Sequence, residues 1–300
     1  MSDEFEHLAH QCRSSAKLDA DERIRLALTE RWIGYPKASF ALNRLRHLID
    51  YPARDRMPCL LLYGATGMGK TKILKKFIRS HPVSVTSQTG PSSIPIVLVQ
   101  MPPEPDEKSF YLELLHAMDA TSQFGHTTGH LRHMVRDLLS FSKTRMLMVD
   151  EVHSLLAGTY RQQRILLNTL RFLANALQIP MVCAGTAEAK RALLTDQQLA
   201  DRFEALELSP WINDENFARL LASFQALLPL RKCSALVTAE VRREILLRTD
   251  GITVRVVKLI ESRAVDAILS GRERIDLDSL ARLDSQPPLL SMDSVAGASA

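Results

Sequence analysis

Residues 64 to 71 read GATGMGKT, which places Gly64, Gly69, Lys70 and Thr71 at the fixed positions of G-x-x-x-x-G-K-[ST]. Each residue type has a reason to be there. Glycines let backbone N–H groups converge on phosphate oxygens, and a following helix adds its positive N-terminal end. Lys70 would reach the β and γ phosphates of a nucleoside triphosphate, and the Thr71 hydroxyl would ligate Mg²⁺. Ala65, Thr66, Gly67 and Met68 between the fixed positions, and Lys72 just after them, complete the expected contacts to ATP. A glycine-rich turn that binds nothing is the competing reading. It is disfavoured because an apolar run from Cys59 to Tyr63 precedes the loop and a helical run at 72–78 follows it.

A second stretch, RMLMVDEVHSLL at 145–156, is an apolar run ending in two carboxylates. Asp150 at its tip would hold the water shell of Mg²⁺, and Glu151 would project toward the γ-phosphate, where a carboxylate can take a proton from an attacking water. The alternative is that the pair only caps the next helix. The apolar run before it favours a strand end beside a phosphate loop.

Such groups need a frame that brings strand ends together. Five short apolar runs supply it: Leu60 to Tyr63, Ile96 to Val99, Met146 to Val149, Met181 to Ala184 and a weaker Ala205 to Leu208. They are continuously apolar rather than alternating, and helix-period or loop sequence separates them, so a parallel sheet covered on both faces is expected. The fold class is therefore α/β, over 56–210. Residues 1–55 read as a helical N-terminal extension, with Asp19 and Asp21 as cap candidates and Pro36 and Pro52 as interruptions. After Pro210 the segments 214–228, 238–249 and 254–270 read as amphipathic helices, so 211–284 is expected to form a small helical domain. The stretch 285–300, with Pro287 and Pro288 followed by small and polar residues, reads as a disordered tail.

Composition sets outer bounds. The 300 residues are 46% hydrophobic and 24% charged, enough for a substantial core and one or two domains. The net charge of +4 is mild, but four Asp against one Arg lie from Asp276 onward, so the rest carries +7 (4 + 3) and could hold a basic face. Cys12, Cys59, Cys183 and Cys233 are far apart, two of them within apolar runs, a pattern suited to a reducing compartment. The first residues are acidic and lack an apolar signal core, and no stretch approaches the roughly 18 apolar residues of a membrane span. A cytoplasmic protein without a membrane partner is the expectation.

In order along the chain, LLLYGATGMGKT, MLMVDEVHSLLAG, IPMVCAGTAEA, LADRFEALELSPW and DGITVRVVKLIE resemble an AAA+ ATPase, and specifically the TniB family of transposition ATP-binding proteins, kin to the target-selecting ATPases TnsC and MuB. The resemblance covers about residues 20 to 280. The phosphate-loop and Asp-Glu motifs alone are common to many ATPases; the DEVHSLLAG continuation, the AGT after the fourth strand and the RF-to-PW segment narrow it. It implies a P-loop NTPase of AAA+ type, a five-stranded parallel sheet between helices followed by a small helical lid.

Further roles come with the resemblance. Thr186 matches the sensor 1 position, where a polar group watches the γ-phosphate and water. Arg202 is similar to an arginine finger that one subunit inserts into its neighbour's site, and Arg255 looks like sensor 2 in the lid. Duller readings stand beside them: Thr186 as a helix cap, Arg202 and Arg255 as solvated surface charge. Gln100, ending the second strand, could hold Glu151 inactive until DNA arrives. Ile33, Gly34 and Tyr35 sit where this family packs the adenine ring, with core packing an equally good account. His126, His130 and His133 have helical spacing, but no Cys, Asp or Glu nearby completes a metal set, and no nucleophile-elbow signature stands out.

The resemblance also implies double-stranded DNA as a partner, gripped largely without regard to sequence, a transposase with a possible further transposition protein, and a homo-oligomeric ring or helical filament. In such assemblies the loops after the second strand face the DNA, here about 102–130, with Lys108, Thr127, Thr128 and Arg132 as candidates by location. The expected activity is ATP hydrolysis stimulated by DNA and by assembly. A helicase loader would share every catalytic residue, and a nucleotide-dependent signalling switch would turn over little. A small-molecule kinase fits the Asp150-Glu151 pair and separate lid less well.

Overall fold

A computed structural model of the chain describes residues 5–85, 92–120 and 125–281. The expected tail at 285–300 and positions 121–124 of the expected DNA-facing stretch lie outside the described residues. Chain contacts group the protein into two units that do not follow sequence order. Lys37–Ser209 forms one, and the residues up to Pro36 join those from Pro210 onward in the other.

The strands are β1 (Cys59–Tyr63), a short antiparallel pair β2 (Ser84–Val85) and β3 (Ser92–Ser93), then β4 (Ile96–Gln100), β5 (Met146–Asp150), β6 (Met181–Gly185) and β7 (Phe203–Glu207). Helices are α1 (Ala20–Leu28), α2 (Pro36–Ile49), α3 (Lys70–Arg79), α4 (Glu107–Ala117), α5 (Thr128–Phe141), α6 (Tyr160–Leu177), α7 (Ala187–Leu194), α8 (Gln197–Ala200), α9 (Glu215–Leu227), α10 (Ala239–Thr249), α11 (Thr253–Leu269) and α12 (Leu277–Ala281).

The first unit is a five-stranded, fully parallel sheet in the order β4-β5-β6-β1-β7 among helices. Every residue of β5 and β6 is buried, which explains their continuous apolar sequence. β7 lies at the sheet edge with Glu204, Ala205 and Glu207 exposed, so its pattern is diluted, and it begins two residues before the sequence expectation. Between β1 and the Asp150 strand stands β6, so three adjacent strands end their carboxyl termini side by side. In open α/β sheets that edge is where ligands bind. The core gathers Leu61, Val97, Val99, Leu147, Val149 and Cys183 from the sheet with Phe110, Tyr111 and Leu114 of α4 and Leu166, Leu170 and Leu173 of α6. Burial pushes the Cys59 thiol up to about 11 and the Cys183 thiol well above its ordinary value, so neither is a ready nucleophile.

The second unit is helical. Phe217, Leu221, Ile245, Val256 and Ile260 form its core, with Ala27 of α1 among them. α1 is started by Asp19, whose carboxylate accepts from the Glu22 N–H at 2.8 Å, and it packs on α11. Arg23 of α1 holds it there: Nη1 and Nη2 donate to the two Glu273 carboxylate oxygens at 2.6 and 2.9 Å, and both residues are buried. Burial raises the Glu273 carboxyl, but the Arg23 hydrogen bond and charge and the Arg231 N–H outweigh it, leaving it below its ordinary value. Gly251 has φ 66°, and a Cβ there would lie 2.3 Å from the Trp211 carbonyl oxygen, so only glycine fits beside the Trp211 backbone, whose N–H donates to the Gly251 carbonyl. Among the described residues no helix is long and apolar enough to cross a membrane.

Candidate functional site

The phosphate loop is built by two left-handed glycines and one close approach. Gly67 and Gly69 have φ 82° and 91°, and Gly69 is the residue before α3, so the turn aims the start of that helix into the loop. At Gly64 a Cβ would stand 2.4 Å from the Leu208 carbonyl oxygen, behind β7. Met68 is buried within the loop. Lys70 is buried within the loop, where its Nζ donates to the Gly64 and Ala65 carbonyls at 2.9 Å each. Burial lowers its ammonium below the ordinary lysine value, and the Glu151 and Asp150 carboxylates oppose that shift.

At the end of β5, Asp150 is buried, and its Oδ2 accepts from the Thr71 hydroxyl at 2.6 Å while Oδ1 accepts from the Glu151 N–H at 2.9 Å. A hydroxyl and a carboxylate brought together across 79 positions are hard oxygen donors of the kind Mg²⁺ takes, so the residues present fit that ion. Glu151 follows in the left-handed region at φ 54° and ψ 35°, a costly place for a non-glycine residue and one often found where function demands it. A 3₁₀ turn, Val152–Ala157, continues from it, and His153 Nε2 lies 3.3 Å from Glu151 Oε2.

Thr186 stands at the carboxyl end of β6, between the Lys70 and Asp150 strands. It precedes α7, yet its hydroxyl makes no capping bond, and its Oγ1 is buried without a hydrogen-bond partner among the described residues. A simple cap does not explain it. Gln100 pairs in register with Asp150, and its side chain is exposed at the sheet end.

Arg202 lies elsewhere. It precedes β7, and its carbonyl accepts from the Cys59 N–H, so it sits at the amino end of β1, about 13 Å along the strand from the loop that follows Tyr63. Its Nη1 donates to Asn175 Oδ1 of α6 at 2.6 Å. Arg255 belongs to the helical unit, where its Nη1 donates to Asp250 Oδ2 at 2.6 Å. Ile33 packs on the core of that same unit, and Tyr35 meets the Trp211 ring edge-on at 5.0 Å, with burial pushing its phenol up to about 12.

Within the stretch expected as DNA-facing loops, residues 107–117 form α4 and 128–130 begin α5, so the loops there are shorter than expected. Lys108 is an exposed residue of α4, Thr127 caps α5 by accepting from the His130 N–H at 3.3 Å, and Thr128 opens that helix. Arg132 is engaged: Nη2 donates to Glu107 Oε1 at 2.9 Å and Nε to the Tyr111 hydroxyl at 3.3 Å. Glu107, Tyr111 and Arg132, with Thr169 and Phe172, line a cavity of about 300 Å³ among α4, α5 and α6. His126 and His130 meet ring to ring at 4.4 Å.

Sequence reasoning misses two residues of this region. His153 lies within DEVHSLL, but its contact depends on the left-handed turn at Glu151, which no local signal announces. Gly185 ends an apolar run; a Cβ there would be 2.7 Å from Ala189 Cβ and 3.3 Å from the His153 nitrogen, so the end of β6 is pressed against the turn after Glu151.

The comparisons with known proteins agree on the fold. The model of a family described as bacterial TniB protein matches residues 23–213. A comparison with curated protein sequences finds none that matches. Among solved structures, the ORC2 protein of Aeropyrum pernix in ADPNP-ADP complexes is similar with TM-score 0.59 at 14% identity, over 92% of this chain and 74% of that one. The ORC1 protein of the same organism in complex with DNA gives TM-score 0.57 at 16% identity, over 86% and 67%. Domain III of the Thermotoga maritima replication initiation protein DnaA gives 0.51 at 18%, over 83% and 91%. The fold is that of the AAA+ P-loop ATPases.

Proposed function

The chain belongs to the bacterial TniB family, and from that premise we propose that it is an ATPase that assembles on target DNA and recruits or activates a transposase, with hydrolysis controlling disassembly. The observation that carries the reading is the convergence of Lys70, Thr71, Asp150, Glu151 and Thr186 on three adjacent strand ends, with Arg202 at the opposite end of the sheet.

In this reading the loop N–H groups and Lys70 bind the triphosphate, Lys70 exchanging the Gly64 and Ala65 carbonyls for phosphate oxygens. Thr71 and Asp150 would hold Mg²⁺, which when bound neutralises developing phosphate charge. Glu151 accepts a proton from water as the water oxygen bonds to the γ-phosphorus, and the bond to the β-γ bridging oxygen breaks with its electron pair leaving on ADP. Thr186 donates its free hydroxyl to the γ-phosphate or that water. Arg202, too far from its own loop, serves a neighbouring copy, and Arg255 senses nucleotide from the helical unit. Ile33 and Tyr35 contribute to adenine binding. Lys108, Thr127, Thr128 and Arg132 are the proposed contacts to backbone phosphates.

A shared site makes turnover depend on assembly. ATPase rate per subunit should rise with protein concentration and with duplex DNA, and electron microscopy with a non-hydrolysable ATP analogue should show rings or filaments on duplex. A rate per subunit independent of both, with monomers on DNA, would overturn the proposal. A second reading, a DNA-associated ATPase of replication, is favoured by the likeness to initiators such as DnaA and to an ORC1 protein solved with DNA. Affinity for a transposase rather than a replicative helicase separates the two.

A further inference from the structure

Two buried polar atoms near the end of β6 have no hydrogen-bond partner among the described residues: Thr186 Oγ1 and His153 Nδ1. An orphaned buried polar group costs stability and calls for an explanation. They flank the same point in the fold. Thr186 directly follows Gly185, and the position a Gly185 Cβ would take is only 3.3 Å from the His153 backbone nitrogen. The other ring nitrogen of His153, Nε2, lies 3.3 Å from Glu151 Oε2, within reach of a hydrogen bond. A neutral imidazole whose Nε2–H donates to a carboxylate has a bare Nδ1 that can only accept. Thr186 offers a hydroxyl that can donate. Nε2 therefore lies near Glu151, while Nδ1 and the neighbouring Thr186 hydroxyl are both left buried without a partner among the described residues.

Glu151 needs such a partner. Its backbone is in the left-handed region, and its side chain is about a third exposed, so nothing in the strand itself fixes where the carboxylate points. A base displaced by an ångström loses much of its advantage, because proton transfer requires hydrogen-bond reach to the water.

We propose that His153 is a positioning residue for hydrolysis, its Nε2–H orienting the Glu151 carboxylate and its Nδ1 accepting from a water held by Thr186, so that base and γ-phosphate sensor are tied through one ring. The inference rests on the reading of Glu151 as the base. It extends that reading to a residue two positions on, whose only other account is packing.

The test compares His153→Ala and His153→Gln with the full-length wild type and with Glu151→Gln, using DNA-stimulated turnover and binding of a fluorescent ATP analogue. His153→Ala should lower kcat by on the order of 10- to 100-fold with analogue affinity within about twofold, and His153→Gln, whose amide N–H can reach the same oxygen, should recover a large part of the loss. A spectroscopic readout needs no nucleotide. In protein with ¹⁵N-labelled histidine at alkaline pH, where imidazoles are neutral, the ring signal missing from His153→Gln should be that of the Nε2–H form. Equal kcat in wild type and His153→Ala, an increase on truncation, or a ring protonated on Nδ1 would overturn the proposal. If wild type and Glu151→Gln turn over at the same rate, the assignment of Glu151 as base fails, and the role of His153 falls with it.

Discussion

The Thr71 hydroxyl and the Asp150 carboxylate meet at 2.6 Å although 79 positions separate them in the chain. β6 is the strand between their two strands, so the contact is made over its carboxyl end. Asp150→Asn keeps the size and one acceptor oxygen but removes the charge that would hold a divalent ion. Turnover should fall by at least about 100-fold, with the Mg²⁺ needed for half-maximal activity raised, as read by titrating the metal at fixed ATP. Unchanged metal dependence would remove Asp150 from the ion site.

Arg202 and the loop at 64–71 lie at opposite ends of β1. Arg202→Ala should therefore be inactive alone, with a loss of about 10³-fold or more, and so should Glu151→Gln. Mixed together, the two should regain turnover, because a Glu151→Gln subunit can lend its Arg202 to an intact neighbouring loop. Mixtures no more active than the parents would argue for a site complete within one chain.

Lys108 is exposed on α4, whereas Arg132 is held by Glu107 and Tyr111. The two should behave differently on DNA. Lys108→Ala should lower the slope of log affinity against log salt by about one, the signature of one lost phosphate contact. Arg132→Ala should change that slope less and instead lower thermal stability, since it loosens the packing of α4 on α5 and α6. Fluorescence anisotropy over a salt series separates these outcomes.

Glu273 is held below its ordinary value by Arg23 and the Arg231 N–H, so the folded form binds its proton less readily than the unfolded chain does. The stability this contributes is fully present above the unfolded carboxyl value of about 4.3 and is lost as pH falls through the lower folded value. Glu273→Gln leaves the Arg23 charge buried and unpaired, and should cost about 3 to 5 kcal/mol at neutral pH. The difference from wild type should shrink below about pH 4, as urea unfolding across that range will measure.

Much of the site was legible because its signals are local. The phosphate loop is defined by residues within eight positions, and β1, β4, β5 and β6 are continuous apolar runs because both sheet faces are covered. Where burial is partial the signal weakens, as in β7. Pro36 reads as an interruption but is the first residue of α2, where the missing N–H costs nothing. The grouping of α1 with the C-terminal helices rests on long-range contacts, Ala27 in their core and the Arg23 to Glu273 pair 250 positions apart, and no window of sequence contains both sides. His153 needs neither distance nor burial to be missed. Its relation to Glu151 exists only because Glu151 adopts a backbone conformation that sequence gives no reason to expect.

The placement of Arg202 has one more consequence. In the proposed shared site, Arg202 and the loop it would serve lie at opposite ends of β1, so a stack of copies built on that site is polar. Such a stack either closes on itself or runs on with two unlike tips, one presenting an Arg202 with no neighbour to serve and the other an unserved loop. The two tips would then differ in chemistry, and whatever binds one has no reason to bind the other.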